Sequence, residues 1–323
     1  MKTIFAFFKK LIHSNPKSIP KVLGIMMLTL LLTLTLSGCS SKIQDMVNAN
    51  QSKAATSTEA VQGTLDVYAL DIGQGDAFLI RVGDEYSLID TGDVDHRDNL
   101  VAYLKQYKVK KLKNVIITHP HADHLGGFFA IADAGIPMEH VYDNGMTYSS
   151  SVYRTYMKTV DRLKIPRTVL YKGDVVDFGN GAKFTVYAPW QGDPVMDNKG
   201  KADLNNNSIV GKLEFGKFSM LFTGDAEKPE ENRLIKEQNT KLSSRIIKVG
   251  HHGSKTSSQK DFLRSVRPEF AIISAGQNND YGHPHKEALE RLRAENITVY
   301  QTKTMGTIQI HSDGNTWQIT QEK

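Results

Sequence analysis

The sequence predicts an α/β fold in which two packed β-sheets carry helices on their outer faces and which consists of two similar halves. Three observations support this prediction. Short apolar, β-branched runs alternate with stretches in which apolar residues recur at helical spacing. A hairpin with Gly at its turn, whose second strand ends on an acidic residue beside Gly, occurs twice. Finally, a histidine-rich cluster directly follows a buried strand.

The first half contains three predicted strands separated by Gly-containing turns, Leu65 to Ile72, Ala77 to Val82 and Tyr86 to Ile89. A helix is predicted across residues 100–107, because apolar and aromatic residues recur there at i, i+3, i+4 and i+7. A buried strand then ends at Thr118, and an apolar helix from Phe128 to Ala134 follows the histidine cluster.

The second half repeats this arrangement. Its predicted strands are Phe184 to Ala188, Ile209 to Phe215, Phe218 to Thr223, Ile246 to Val249 and Phe270 to Ser274. Its predicted helices are Pro229 to Glu237 and a segment near Gln259 to Val266. The repeated hairpin runs from Gly83 to Asp90 in the first half and from Gly216 to Asp225 in the second. We therefore expect the acidic strand ends to converge on one edge, with a site between the halves.

The cluster from Thr118 to His124 has the pattern HxHxDH. His119, His121 and His124 offer neutral nitrogen ligands and Asp123 a hard oxygen, a donor set that suits zinc, manganese or iron rather than calcium or magnesium. Gly126 and Gly127 let the backbone leave the loop tightly. A histidine-rich surface loop without metal is the alternative, and the matching features elsewhere in the chain argue against it.

The N-terminus has the features of a secretory signal. Residues 1–38 contain five lysines, no acidic residue and an apolar stretch from Val22 to Leu36. The chain has one cysteine, Cys39, which directly follows this stretch. An uncleaved membrane anchor is the alternative, since the stretch is slightly shorter than the roughly 20 residues that span a bilayer. Either interpretation places the folded part outside the cytoplasm.

The domain organisation follows from composition. We predict a signal peptide over residues 1–38, a flexible tether over 39–63 that is rich in Ser, Ala, Thr, Gln and Asn, and one folded domain over 64–323. Without the signal peptide and its lysines, the formal net charge of +5 falls to about zero. Net charge therefore gives no argument for nucleic acid. The lysine-rich run over residues 105–113 is expected to be a solvated helix end rather than a phosphate-binding patch.

These motifs together resemble the metallo-β-lactamase superfamily, whose fold is a four-layer αβ/βα sandwich. The chain is most similar to the extracellular hydrolase domain of ComEC-type competence proteins, and the leader resembles a bacterial lipoprotein signal with lipidation at Cys39. The motifs that carry the resemblance are the HxHxDH cluster, Leu70 to Ala77 (LDIGQGDA), Leu88 to Gly92 (LIDTG), Asn206 to Ser208 (NNS), Thr223 to Asp225 (TGD), His251 to Ser254 (HHGS) and Tyr281 to Pro284 (YGHP).

The resemblance implies two divalent metal ions, with zinc preferred and manganese as the alternative. His119 and His121 would bind the first ion, Asp123 and His124 the second, and Asp225 would bridge them. A histidine from the His251-His252 pair would complete the second site. We favour His252 as this ligand and His251 as a contact to a substrate oxygen.

Further roles carried over from the resemblance lie around the metals. Asp90 would orient a ligand histidine by accepting its other N–H, with Asp71 and Asn207 in support. The superfamily's additional histidine between the cluster and the bridging aspartate has no match here, so water or Asn207 would complete the first site. Asp123, His251 and His283 are the candidate catalytic residues, and Gln74 and Ser254 the candidate substrate contacts. The tyrosines of the long insertion are Tyr142, Tyr148, Tyr153 and Tyr156, and they either wall the groove or are half-buried.

The predicted function is an extracytoplasmic, membrane-tethered phosphodiesterase or nuclease that cleaves DNA with a hydroxide generated at the metals. A separate DNA-uptake channel is an expected partner, because the multi-span channel of ComEC-type proteins is missing from this sequence. One alternative is an esterase acting on an envelope phosphodiester or on phosphorylcholine, which the motifs also resemble. The other is a non-catalytic module that holds DNA at the cell surface.

Overall fold

The computed structural model describes residues 61–238 and 241–323, which fall in one compact unit. The predicted signal peptide, Cys39 and nearly all of the predicted tether lie outside the described residues. Within the described ranges, no helix is both long enough and apolar enough to cross a bilayer.

The strands occur as hairpins and as parallel runs separated by helices. In chain order they are β1 (Leu65–Ala69), β2 (Phe78–Val82), β3 (Glu85–Ile89), β4 (Leu112–Ile117), β5 (Met138–Asp143), β6 (Arg167–Val169), β7 (Val175–Gly179), β8 (Ala182–Ala188), β9 (Val210–Phe215), β10 (Phe218–Phe222), β11 (Ile246–Lys248), β12 (Phe270–Ile273), β13 (Thr298–Gln301), β14 (Ile308–Ser312) and β15 (Trp317–Gln321).

The α-helices are α1 (Arg97–Gln106), α2 (Ala122–Leu125), α3 (Phe128–Asp133), α4 (Ser151–Leu163), α5 (Lys228–Gln238), α6 (Lys260–Val266), α7 (Lys286–Ala294) and α8 (Thr302–Met305). Short 3-10 helices cover Asn205–Asn207 and Gly250–Gly253. The longest described helix, α4, is capped by Ser150, whose side chain accepts the Tyr153 N–H.

The strands form one eight-stranded sheet, in the order β15-β14-β1-β2-β3-β4-β5-β6, and one seven-stranded sheet, in the order β13-β12-β11-β10-β9-β8-β7. In the first sheet, β2 and β3 are antiparallel, while β3 to β6 pair in parallel. In the second sheet, β9 and β10 are antiparallel and β10 to β13 pair in parallel. The two sheets therefore repeat one pairing pattern, as the duplicated hairpin predicts.

Three hydrophobic clusters create the four layers. The inner cluster joins the facing sides of both sheets, where Phe78 of β2 and Phe222 of β10 meet edge to face at 5.2 Å. A second cluster packs α1, α3 and α4 on the outside of the first sheet. A third packs α5, α6 and α7 on the outside of the second sheet. The predicted αβ/βα sandwich is confirmed.

Several elements were not predicted from the sequence. The segment treated as a long insertion forms β5 and α4, and its Tyr156 is buried with its hydroxyl donating to Asp143 at 2.7 Å. The chain returns at its C-terminal end to the first sheet, where β14 pairs with β1. The eight-stranded sheet thus contains strands from both ends of the described domain.

Candidate metal centre

The candidate metal centre lies at the C-terminal ends of two parallel strand pairs, one pair in each sheet. Asp90 follows β3 and the HxHxDH loop follows β4, which is parallel to β3. Asp225 lies shortly after β10, and His251 and His252 follow the parallel strand β11. Because parallel neighbours end at the same edge of a sheet, each sheet presents its polar loops together, and the two edges meet at this site.

Four ligand atoms form a closed group, contributed by Asp123, His124, Asp225 and His252, and they all lie within 4.8 Å of one another. His124 Nε2 lies 3.2 Å from Asp225 Oδ1. His252 Nε2 lies 3.2 Å from Asp123 Oδ2 and 3.6 Å from Asp225 Oδ2. The structure therefore brings together the four residues predicted for the second metal site.

Hydrogen bonds on the far side of the imidazole rings fix their orientation. His124 Nδ1 lies 2.8 Å from Asp90 Oδ2, and His252 Nδ1 lies 3.0 Å from the Ser274 carbonyl oxygen. Asp90 also accepts the Thr118 N–H at 2.7 Å. A histidine that donates through Nδ1 presents the lone pair of Nε2 to a metal. The structure thus places Asp90 behind the ligand His124, in the orienting position predicted for it.

The donor set fits a divalent metal ion. His124 Nε2, His252 Nε2 and Asp225 Oδ1 are all buried atoms without a hydrogen-bond partner among the described residues. Buried polar atoms almost always have a hydrogen-bond partner in folded proteins, so three such atoms that converge on one point without one fit a bound cation. Two imidazole nitrogens and two carboxylates are ligands typical of zinc, manganese and iron sites.

A second group of nitrogen ligands also approaches Asp225. His119 Nε2 is 3.0 Å from His121 Nδ1 and 3.8 Å from Asp225 Oδ2. His251 Nε2 is 3.6 Å from the same oxygen. Asp225 therefore bridges two sets of ligands, and the site can hold two metal ions.

The backbone brings both members of the histidine pair towards Asp225. His251 and His252 adopt left-handed conformations, with φ angles of 46° and 52°, a combination that is strained for residues other than Gly. His251 Nδ1 lies 2.8 Å from Glu227 Oε1, which turns its Nε2 towards the metal centre. His251 can thus occupy the place for which the sequence offers no additional histidine.

A buried ammonium group lies beneath the ligands. Lys248, the last residue of β11, is 1% exposed, and its Nζ forms an ion pair with Asp76. It also donates to the Gly224 carbonyl oxygen at 2.6 Å and lies 3.7 Å from Asp225 Oδ1. Asp76 in turn lies 3.5 Å from His252 Nδ1. Lys248 therefore compensates part of the negative charge of the buried carboxylates.

Before metal binds, the charges within the ligand set shift the pKa values of the ligand side chains. Burial alone would raise the pKa of Asp225, but His124 and His252 lower it well below its usual range. Burial alone would lower the pKa of His252, but Asp225 and Asp76 raise it to about 10. Burial and the charge of His124 lower the pKa of His119. Metal binding at the closed group must therefore displace protons.

The ligands open into a cleft of about 640 Å³. Its walls include three carboxylates outside the ligand set, Asp93, Asp95 and Asp280, and two tyrosines, Tyr148 and Tyr281. Among the described residues, no lysine or arginine lines this cleft. The lysine-rich run ends at Lys113, the second residue of β4, so about six extended residues, or roughly 20 Å, separate it from His119.

Two predicted site residues line the cleft without belonging to the ligand set. His283 is 4% exposed, stacks on Tyr281 at 5.6 Å, and leaves its Nδ1 without a partner among the described residues. Burial, with the nearby His252 and His251, lowers the pKa of His283 to about 4, so its ring is neutral at pH 7. Gln74 has an unpaired Nε2. Both side chains can hydrogen-bond a substrate oxygen.

Three predicted site residues lie elsewhere. Asp71 forms an ion pair with Lys323 at 2.9 Å rather than with a ligand. The Asn207 side chain is occupied by backbone groups, accepting the Val195 N–H and donating to two carbonyl oxygens, so its amide is not available to a metal. Ser254 bonds Thr256 within its own loop at 2.7 Å and does not line the cleft.

Other residues of the site were missed or undervalued. Ser208 Oγ accepts the Asp225 N–H at 3.0 Å and lies 3.4 Å from His119 Nδ1, so the serine of the NNS motif rather than Asn207 contacts the ligands. A lysine within the apolar run that precedes the histidine pair is an unusual pattern that would have revealed Lys248. His96, to which the sequence assigned no role, also lines the cleft.

A protein-family model described as "Metallo-beta-lactamase superfamily" matches residues 70–277. The chain belongs to this superfamily. Among solved structures, a CmlA beta-hydroxylase superposes with a TM-score of 0.51 at 10% sequence identity, covering 78% of this chain and 54% of that chain. At this identity the match shows the shared metallo-β-lactamase fold alone.

Curated relatives are ComEC-type competence proteins. ComE operon protein 3 of Bacillus subtilis is 31% identical over 77% of this chain and 33% of its own length. Competence protein ComA of Neisseria gonorrhoeae is 30% identical over 74% of this chain and 31% of its own length. This metallo-β-lactamase domain thus spans about a third of these relatives.

Proposed function

We propose that the chain is a metal-dependent phosphodiesterase that acts outside the cytoplasm, tethered to the membrane through a lipid on Cys39. The observation that carries the hydrolase assignment is the convergence of unpaired His124 Nε2, His252 Nε2 and Asp225 Oδ1 on one point that opens into the cleft. The signal-like leader carries the proposed location.

The proposed chemistry assigns a task to each residue. Bound at the ligand histidines and aspartates, two divalent ions would supply a hydroxide at neutral pH and neutralise charge on the phosphoryl oxygens. Neutral His283 and the free Nε2 of Gln74 hold the non-bridging oxygens of the substrate. Glu227 orients the ring of the half-buried His251, and the Nε2 of this ring lies where the ligands meet the cleft.

DNA is the first candidate substrate. Two relatives, Competence protein ComA and Recombination protein 2 of Haemophilus influenzae, are named for competence and recombination, and this supports a role in handling DNA together with a separate uptake channel. The cleft offers no lysine or arginine among its described lining residues, so it provides few of the phosphate contacts that normally dominate DNA affinity. We therefore expect weak binding of duplex DNA and hydrolysis of a locally exposed strand.

The charge of the cleft favours a second candidate, an envelope phosphodiester whose alcohol carries a positive charge, as in phosphorylcholine. Asp93, Asp95 and Asp280 supply negative charge, and Tyr148 and Tyr281 supply aromatic surfaces. Carboxylates and aromatic faces together are typical of sites that bind quaternary ammonium groups. This candidate differs from the first in its substrate and not in its chemistry.

The test is hydrolysis by the full chain in detergent, after chelation and addition of zinc or manganese. Four substrates are compared: single-stranded DNA, duplex DNA, bis(p-nitrophenyl) phosphate and p-nitrophenyl phosphorylcholine. We expect metal-dependent cleavage that Asp225→Asn lowers by more than about 100-fold, because loss of a ligand exceeds the usual effect of losing an outer partner. Asp133→Asn, an exposed and distant carboxylate, serves as the control.

The substrate profile separates the candidates. Faster turnover of DNA than of p-nitrophenyl phosphorylcholine supports the nuclease, and the reverse supports the envelope esterase. Binding of DNA without turnover at full metal occupancy would contradict both and indicate the non-catalytic surface module.

A further inference from the structure

An Asp–His pair outside the ligand set faces the same cleft. His96 Nδ1 lies 2.9 and 3.0 Å from the two carboxylate oxygens of Asp93. The His96 backbone N–H also donates to Asp93 Oδ1 at 2.7 Å. Both residues line the cleft together with Asp123, Asp225 and His252. Neither is part of the metal-ligand groups described above.

The position of the His96 ring is fixed from two sides. Asp93 holds Nδ1, and the backbone of Gly73 lies against the ring. A Cβ atom at Gly73 would lie 2.6 Å from His96 Nε2, so the ring would have to move if this residue carried a side chain. Gly73 also has a φ of +81°, which other residues rarely adopt. The first Gly of the GQG turn therefore lets the His96 ring pack against the backbone at the wall of the cleft.

The second ring nitrogen of His96, Nε2, can contact a substrate in the cleft. Because Asp93 occupies Nδ1, Nε2 is the remaining nitrogen, and no residue in the described part of the chain bonds it. The His96 side chain is 42% exposed and that of Asp93 17%. A carboxylate on one ring nitrogen fixes the tautomer and the orientation of the ring, as in other Asp–His pairs that transfer protons.

The proposed phosphodiesterase reaction lacks a proton donor among the residues assigned so far. An alkoxide leaves phosphorus slowly unless its oxygen is protonated, and general acids typically contribute 10²–10⁴-fold to such steps. The histidines of the ligand set point their free nitrogens at the metal centre. His283 stacks on His252 and Tyr281 and is assigned above to the non-bridging oxygens of the substrate. His96 is the histidine of the cleft that remains for this task.

We propose that His96, oriented by Asp93, is the catalytic general acid that protonates the leaving-group oxygen, an inference that rests on the proposed phosphodiesterase function. The attacking water gives its hydroxyl to phosphorus and one proton to solvent. As the bond from phosphorus to the leaving oxygen breaks, the electron pair stays on that oxygen and the Nε2 proton of the imidazolium moves to it. Solvent then reprotonates the ring, so each turnover consumes one water.

The experiment compares two leaving groups on one phosphoryl centre in the full-length metal-loaded protein. Thymidine 5′-(p-nitrophenyl phosphate) releases p-nitrophenolate, which needs no proton, and the matching thymidine 5′-alkyl phosphates and dinucleotide release alkoxides. We expect His96→Gln to lower kcat by about 10²–10⁴-fold on the alkyl diesters and to change kcat on the aryl diester by less than about threefold. Asp93→Asn should show a smaller effect with the same selectivity.

Chemical rescue gives a readout that a structural role would not produce. The exposed ring of His96 leaves a site that solvent reaches, so added imidazole should restore alkyl-diester cleavage by His96→Ala and not by His96→Gln. His311→Ala is the matched control, because His311 forms an equivalent pair with Asp66 at 2.7 Å and does not line the cleft. Metal content is measured in every variant and should not change.

The outcomes separate this inference from the proposed function. Equal losses on aryl and alkyl diesters, or an unchanged alkyl rate in His96→Gln, would overturn the role of His96. Cleavage of the aryl diester by the wild type without cleavage of any alkyl diester would also overturn it, because no proton donor would then be at work. Absence of wild-type activity on the aryl diester would instead contradict the phosphodiesterase itself.

Discussion

At the scale of single residues, Gly75 determines how closely the two loops of the site approach each other. Its φ is +110°, and a Cβ atom there would lie 2.2 Å from the Asp123 carbonyl oxygen. The neighbouring Asp76 N–H donates to this oxygen at 3.1 Å, and Ser274 Oγ donates to the Gly75 carbonyl oxygen at 2.7 Å. Any side chain at this position would displace the loop that carries Asp123.

Gly75→Ala is therefore expected to weaken metal binding at the closed group as well as to destabilise the fold. We expect a loss of about 1–3 kcal/mol in the free energy of unfolding from the unfavourable φ, and a lower metal affinity in titrations monitored by calorimetry. Gly173→Ala is the matched control, since its φ of +102° is similar and no atom lies within 4 Å of its added Cβ. Equal metal affinities in the two variants would contradict the displacement of the loop.

The sequence shows which residues can act as ligands, because few residue types bind metals. It does not show the direction in which each side chain points. The HxHxDH cluster, Asp225 and the histidine pair were predicted as ligands because few structural roles need so many potential metal ligands in so few positions, and the structure brings these residues together. By contrast, Asn207 and Ser254 were misassigned, because the sequence does not show whether a polar side chain in a loop faces the cleft or bonds its own backbone. His96 was not singled out from the sequence, because its contacts with Asp93 and Gly73 form only in the folded chain.

At the scale of elements, a buried carboxyl group joins α5 to the loop before α6. Glu231 of α5 is 1% exposed and accepts the backbone N–H groups of Ser258 and Gln259, the latter at 2.9 Å. On the other side of this loop, Arg291 of α7 donates to the Ser257 and Ser258 carbonyl oxygens. The loop that follows the histidine pair is thus held by side chains of two helices.

The pH dependence of stability should reveal this carboxyl group. Burial raises the pKa of Glu231 to about 8, against an ordinary value of 4.5. The folded state holds this proton more tightly, so the stability contribution is complete below about pH 4.5 and is lost as the pH rises through about 8. The expected slope is up to about 1.4 kcal/mol per pH unit in that window. Glu231→Gln should flatten the unfolding free energy there, whereas Glu290→Gln, at an exposed position of α7, should not.

Urea unfolding between pH 5 and 8 measures this difference. Parallel curves for the wild type and Glu231→Gln would show that the group is ionised throughout the window.

Central strands were predictable and edge elements were not. Strands β2, β4, β9, β10 and β11 are buried apolar runs, and the sequence shows them clearly. Strand β6 has three residues, and β15 is largely exposed, so neither contains a hydrophobic pattern long enough to identify it. Both depend on pairing with a neighbouring strand rather than on their own composition.

At the scale of the whole molecule, the hydrophobic core and the metal centre join the same two sheets at different places. The inner core already packs the facing sides of both sheets, whereas the ligands lie on loops at one edge. The superfamily fold was predictable because its motifs are spread over most of the domain. The return of the C-terminal hairpin to β1 was not, since pairing between distant segments leaves no local pattern.

Metal removal should accordingly leave the protein folded but less stable. At a metal concentration 100 times the Kd, binding adds about 2.7 kcal/mol, which corresponds to roughly 5–10 °C in Tm for a domain of this size. We expect chelation to lower Tm by this amount while the circular dichroism spectrum is retained. In Asp225→Ala, whose fold should survive, added metal should no longer raise Tm. Loss of folded structure on chelation would show instead that the ions hold the two halves together.

The buried ammonium of Lys248 affects whether the protein can fold before it binds metal. Asp76 and Asp225 would repel each other in an interior without any cation, yet Lys248 lies against both. Part of the positive charge beside these carboxylates is therefore encoded in the polypeptide and does not depend on bound ions. We therefore expect the chain to fold before metal binds, so that the occupancy of the site depends on the metal concentration around the folded protein.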